Sequence, residues 1–185
     1  MADRGRHGSP VSPKLNLESE RLRLRPFAAA DVDQLHHLFT LPGIRRFLWD
    51  DEIIARERTV AVVEKSTASF QNHGFGLWAL SFKDPGAIVG FCGFWHFHDP
   101  PQLELLYGLS PEHWHRGLAT EAATAMIRYG FDGLGFARIE ASTDAANTAS
   151  VRVMQRAGLR FRKREMTNGL DTVYYAIDRP QKQSG

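Results

Sequence analysis

The residues with the clearest chemical content are His115, Arg116 and Gly117 and the Leu118, Ala119 and Thr120 that follow them. From Leu118 onward the apolar residues Leu118, Ala122, Met126 and Ile127 recur at helical spacing, which predicts that a helix opens there. The first amides of a helix have no partner inside it, and the macrodipole puts partial positive charge at the same end. A loop that delivers Gly117 to such an end can grip phosphate oxygens, because glycine lets an anion approach the backbone closely. Arg116 adds a full charge. Taken alone, glycine and alanine ahead of a helix also fit a plain strand-to-helix turn.

Two further groups carry chemistry. Asn147-x-x-Ser150 opens a late helical stretch; it reads as an ordinary N-cap on local grounds and as a polar pair facing a ligand on positional ones. Glu104 lies on an apolar run ending in Tyr107, Gly108 and Leu109, and a carboxylate there is a candidate general base. Its parity is opposite to that of Leu103, Leu105 and Tyr107, so a solvent-facing position is open too. His96 and His98 close the preceding run and read more readily as surface or core fillers. Cys92 has no nearby histidine at a useful spacing.

The elements that must position these groups can be read in order. Leu22 and Leu24 alternate with Arg21, Arg23 and Arg25, predicting a strand whose arginines face solvent. Val32, Leu35, Leu38 and Phe39 predict a helix that Asp31 starts and Pro42-Gly43 ends. A second helix is expected over about 51–70, with the acids Asp50, Asp51 and Glu52 at its start. Three strands follow over 75–82, 87–97 and 103–109, separated by short turns that argue for antiparallel pairing. Gly90 and Gly93 in the middle one mark bulges or close backbone approach. After the central helix come a strand over 138–143, a helix over 147–157, and two strands joined by Thr167-Asn168-Gly169.

Trp114-x-x-Gly117-x-Ala119-Thr120-Glu121-Ala122, seven residues after Tyr107, resembles the pyrophosphate loop of the GNAT superfamily of acyl-CoA-dependent N-acetyltransferases, nearest to its ribosomal-protein branch. The likeness covers roughly residues 17–179. It implies an α/β (α+β) GNAT fold, a mixed, mostly antiparallel sheet with helices on both faces. It further implies that the backbone at Tyr107, Gly108 and Leu109 pairs with the pantetheine arm of acetyl-CoA, the Tyr107 N–H receiving the thioester oxygen. Trp114, His115, Arg116, Gly117, Leu118, Ala119 and Thr120 would hold the pyrophosphate. Trp114 stands where the family usually has glutamine or arginine, and His115 where a further glycine is common. The resemblance places Asn147 against the cofactor and Ser150 near the sulfur as an orienter of a proton, with Glu104 as base. The acceptor would be a primary amine attacking directly: a protein N-terminus, or a small molecule such as a polyamine or aminoglycoside. A non-catalytic acyl-CoA-binding module is the alternative class.

Composition narrows the remaining classes. A chain of 185 residues, 43% hydrophobic, supports one sizeable core, expected over residues 15–180 between a disordered leader at 1–14 and a frayed tail at 181–185. The net charge of +2 and interspersed basic residues leave no nucleic-acid footprint. A single cysteine rules out an internal disulfide and a thiolate cluster for zinc, so no metal is expected and a cytoplasmic setting fits best. No apolar run approaches membrane-spanning length, and no Gly-x-x-x-x-Gly-Lys or Gly-x-Gly-x-x-Gly loop supports another nucleotide. The assembly is expected to be a monomer or homodimer.

Overall fold

The computed structural model describes residues 16–84, 86–98 and 101–181; the predicted leader and residues 182–185 of the predicted tail lie outside them. Eight strands form one sheet. They are β1 (Leu17–Glu18), β2 (Leu22–Pro26), β3 (Leu77–Phe82), β4 (Gly90–Phe97), β5 (Gln102–Leu109), β6 (Arg138–Asp144), β7 (Arg160–Thr167) and β8 (Leu170–Asp178). Their order is β1-β2-β3-β4-β5-β6-β8-β7, and every neighbouring pair is antiparallel except β5 with β6. The helices are α1 (Val32–Thr40), α2 (Pro42–Leu48), α3 (Arg56–His73), α4 (Leu118–Asp132) and α5 (Thr148–Arg156). This is the GNAT fold.

Alternation along the strands sorts side chains to two cores, because successive residues of a strand point to opposite faces. Leu77, Ala79 and Phe91 join Leu35, Leu38, Phe39 and Val63 on one face, under α1 and α3. Trp78, Leu80, Cys92, Phe94, Leu105 and Leu109 join Leu118, Ala122 and Met126 on the other, under α4. Each fully buried Leu or Phe contributes about 1.5–3 kcal/mol by leaving water. Phe39 and Phe91 meet edge to face with centroids 5.3 Å apart. Burial pushes the Cys92 thiol pKa well up, which makes it an inert filler.

Several expectations are refined. Pro42-Gly43 ends α1 but also begins α2, with Pro42 at the first helical turn where its missing N–H costs nothing. α3 starts at Arg56, so Asp50, Asp51 and Glu52 do not front it; they lie in a turn in which Asp50 and Asp51 take φ of 51° and 65°. Gly90 and Gly93 mark close backbone approach and not a bulge, since the β3–β4 and β4–β5 registers run without a shift. A Cβ on Gly93 would sit 2.1 Å from the Gly76 carbonyl oxygen, and one on Gly90 2.4 Å from that of Gly108. Asn168 and Gly169 both have positive φ and form the tight β7–β8 turn. Among the described residues no helix is long and apolar enough to cross a membrane.

Candidate active site

The site exists because β5 and β6 diverge. Their only register pair among the described residues is Glu104↔Glu140, so β5 beyond it has a neighbour on the β4 side alone. Ser110 donates its N–H to the Val89 carbonyl on that side. Backbone direction alternates along an antiparallel strand, so Tyr107 and Leu109 aim their N–H and C=O groups the other way, into the gap. A cleft of about 630 Å³ fills it, lined by Tyr107, Gly108, Leu109, Gly117, Ala119 and Thr120 at one end and by Asp50, His98, Glu104, Ser142 and Thr172 at the other.

At the α4 end, Gly117 is the N-cap residue in a left-handed conformation, and no side chain caps the helix. The first intrahelical bond is Glu121 N–H to Gly117 O, leaving the amides of Leu118, Ala119 and Thr120 ahead of it. His115 also sits at positive φ, 61°, a conformation that histidine adopts more readily than most side chains. The Leu118 side chain is buried in the core, so only its backbone is at issue. Arg116 is exposed and lies outside the lining of the cleft, next to His115 and Gly117, which line it.

Two side chains fix this loop from outside. The Trp114 indole N–H donates to the Leu109 carbonyl at 2.7 Å, and its ring packs so tightly on α2 that a Cβ on Gly43 would lie 2.6 Å from it. Trp114 therefore ties the loop to β5 and α2, and it occupies the Leu109 carbonyl that sequence assigned to a ligand. Arg21, expected to face solvent, donates to the Arg116 carbonyl and to the Glu121 carboxylate. Burial would raise the Glu121 pKa, but hydrogen bonds from Ser19 and Arg21 outweigh it and hold this carboxyl below the usual range. Its negative charge is thus matched by a cation within the first turn of α4.

At α5, Asn147 is the N-cap: its Oδ1 accepts from the Ser150 N–H, and its Nδ2 donates to Thr143 Oγ1. The N-cap reading thus holds, and Asn147 also lines the cleft. The Tyr107 ring does more than pack. Its hydroxyl lies 2.9 Å from Ser150 Oγ and 3.0 Å from the Ser150 carbonyl, and burial pushes the phenol pKa up, so it stays protonated.

Glu104 is 2% exposed, which overturns the solvent-facing alternative. Opposite parity to Tyr107 does not lead to water here, because both sheet faces are covered; it leads to the face under α1–α3. There Ser142 Oγ–H donates to Glu104 Oε2 at 2.6 Å and His98 Nε2 lies 3.0 Å from Oε1. His98, discounted in the sequence, is thus brought to the carboxylate, whereas His96 is exposed beside Phe75 and away from the cleft. The contact has no linear signature: Glu104 and His98 meet only through the β4–β5 register. Farther out, burial and then the charges of Asp50 and Asp171 hold Asp144 above the usual carboxylate range. Asp171 is paired with Arg164, but Asp50 and Asp144 have no ion pair among the described residues.

The GNAT acetyltransferase domain matches residues 21–160. The uncharacterized N-acetyltransferase YoaA of Bacillus subtilis is 27% identical over 173 residues, covering 90% of this chain and 98% of YoaA. An acetyltransferase from Agrobacterium tumefaciens superposes with a TM-score of 0.78 at 25% identity, over 95% of this chain and 100% of that one. RimL, a ribosomal L7/L12 α-N-protein acetyltransferase solved with coenzyme A, superposes with a TM-score of 0.74 over 88% of this chain and 97% of its own; at 18% identity the likeness is one of fold. With a matching domain that spans three quarters of the sequence and a sheet that splits beside the uncapped start of α4, this chain belongs to the GNAT family of N-acetyltransferases.

Proposed function

We propose that the protein transfers an acetyl group from acetyl-CoA to a primary amine, with a protein N-terminus as the preferred acceptor class. One observation carries this reading. The split between β5 and β6 puts free backbone of Tyr107 and the open amides of α4 at one mouth of the cleft and the Glu104 carboxylate at the other. Bound acetyl-CoA would supply the activated carbonyl: the amine nitrogen bonds to its carbon, the C–S bond breaks, and the thiolate takes up a proton. The Tyr107 N–H is positioned to receive the carbonyl oxygen, and a donor of this kind lowers a barrier by roughly 3–4 kcal/mol. Glu104 accepts the proton that the amine gives up. An α-amino group, with a pKa of about 8, needs no stronger base. Ser150, fixed by Tyr107 and Asn147, orients a proton toward the sulfur. The amides of Leu118, Ala119 and Thr120 hold the pyrophosphate.

A second reading rests on Asp50 and Asp144. Two carboxylates without a cationic partner at the acceptor mouth suit an acceptor with more than one positive charge, such as a polyamine. Calorimetry with acetyl-CoA, ATP and NAD, followed by thiol release with Ala- and Ser-initiated peptides and with spermidine, tests both. Binding of acetyl-CoA alone and turnover of a peptide is the expected result. Binding without turnover of any amine would leave only an acyl-CoA-binding module; preference for ATP or NAD would end the assignment.

A further inference from the structure

We propose that His98 is a positioning residue for Glu104, an inference that rests on reading Glu104 as the group that accepts the amine proton. An ionised carboxylate only accepts hydrogen bonds, so the His98 nitrogen 3.0 Å from Oε1 carries a hydrogen in the working state. Ser142 holds the other oxygen at 2.6 Å. With one donor on each oxygen, the carboxylate plane is set from β6 and from the turn after β4. Two of its roughly four lone-pair sites remain for the cleft.

The local backbone is arranged for this contact. His98 follows the last residue of β4 and takes a φ of 66°, outside the extended range of the strand behind it. A strand that simply continued would send the next side chain along the alternation of the pleat; the left-handed residue turns the ring back over β5. The ring is then steadied by Tyr174 on β8, 5.9 Å between centroids, whose own hydroxyl is bonded to Thr167. Both His98 and Glu104 line the cleft. A buried carboxylate without such donors would lose its orientation and leave lone pairs unsatisfied.

The test is a double-mutant cycle using whichever of the Ala- or Ser-initiated peptides or spermidine the native protein turns over. His98→Ala is expected to lower kcat about 10- to 100-fold, the scale of one hydrogen bond to a charged group, with the KM for acetyl-CoA unchanged. His98→Gln, which keeps an N–H donor at similar reach, is expected to recover most of that loss. In a Glu104→Gln background the same His98→Ala change should alter kcat by less than about two-fold, since the group it orients is gone. Ser142→Ala, which removes the partner donor, should show the same dependence on Glu104 and serves if His98→Ala melts early. Wild-type kcat in His98→Ala, or an equal loss in both backgrounds, would overturn the proposal while leaving Glu104 as base. No effect of Glu104→Gln itself would overturn both.

Discussion

The two mouths of the cleft are built on different plans. At the α4 mouth the open groups are backbone: the amides of Leu118, Ala119 and Thr120 and the free edge of Tyr107, next to a loop that hydrogen bonds from Trp114 and Arg21 hold in place. At the other mouth they are side chains drawn from separate segments: Glu104 on β5, His98 after β4, Ser142 and Asp144 on β6, and Asp50 between α2 and α3. Backbone recognition suits a constant ligand, because any residue supplies an amide once the chain path is fixed. Side-chain recognition suits an acceptor that differs from one relative to the next.

If this division holds, substitutions at one mouth should leave the other's KM alone. Glu104→Gln should have the largest effect, a fall in kcat of about 10²–10⁴-fold with acetyl-CoA affinity by calorimetry retained. A parallel loss of acetyl-CoA binding would blur the two mouths into one. Trp114→Phe removes the bond to the Leu109 carbonyl, worth about 0.5–1.5 kcal/mol, together with the far edge of the indole that lies against Gly43. It should raise the KM for acetyl-CoA roughly two- to ten-fold and spare that for the amine. Asp50→Asn and Asp144→Asn should do the reverse, raising the amine KM about two- to five-fold, more at low salt than at high salt.

Glu121→Gln should be the mildest in its effect on activity, and its cost in stability should be largest at neutral pH and close up in acid. A carboxyl whose pKa is depressed by folding stabilises the protein above its unfolded value of about 4.3, and that contribution is lost as the pH falls through the lower folded value. The variant's melting temperature should therefore fall less than the native protein's between neutral pH and pH 3. Parallel curves would mean that Arg21 and Ser19 do not hold Glu121 as described.

The same contrast explains what was legible in the sequence. The α4 mouth is written in contiguous residues, Trp114 to Thr120, and in Asn147-x-x-Ser150, so the resemblance to the family's loop could be read there, where the residues alone also fitted a plain turn and an N-cap. The strands were legible from alternation and turn chemistry, as at Asn168-Gly169. The starts of α2 and α3 were not. Pro42 serves equally as a stop and as a first-turn residue, and the acids Asp50, Asp51 and Glu52 mimic a helix start while lying in a turn. Arg21 looked like any solvated strand residue because its partners, the Arg116 carbonyl and Glu121, are about a hundred positions away. Glu104 was ambiguous because parity names a face without saying whether anything covers it. His98 needed the β4–β5 register, which no local pattern prints.

The solitary Glu104↔Glu140 pairing has a mechanical consequence. Among the described residues a single register pair between β5 and β6 joins β1 through β5 to β6, β8 and β7, and Glu104 stands on that rung. An extended ligand lying in the fork would act as an added strand, stapling two half-sheets whose backbones pair at one position among the described residues. Acetyl-CoA should therefore sharpen thermal unfolding as well as delay it, and slow amide exchange on both sides of the seam together.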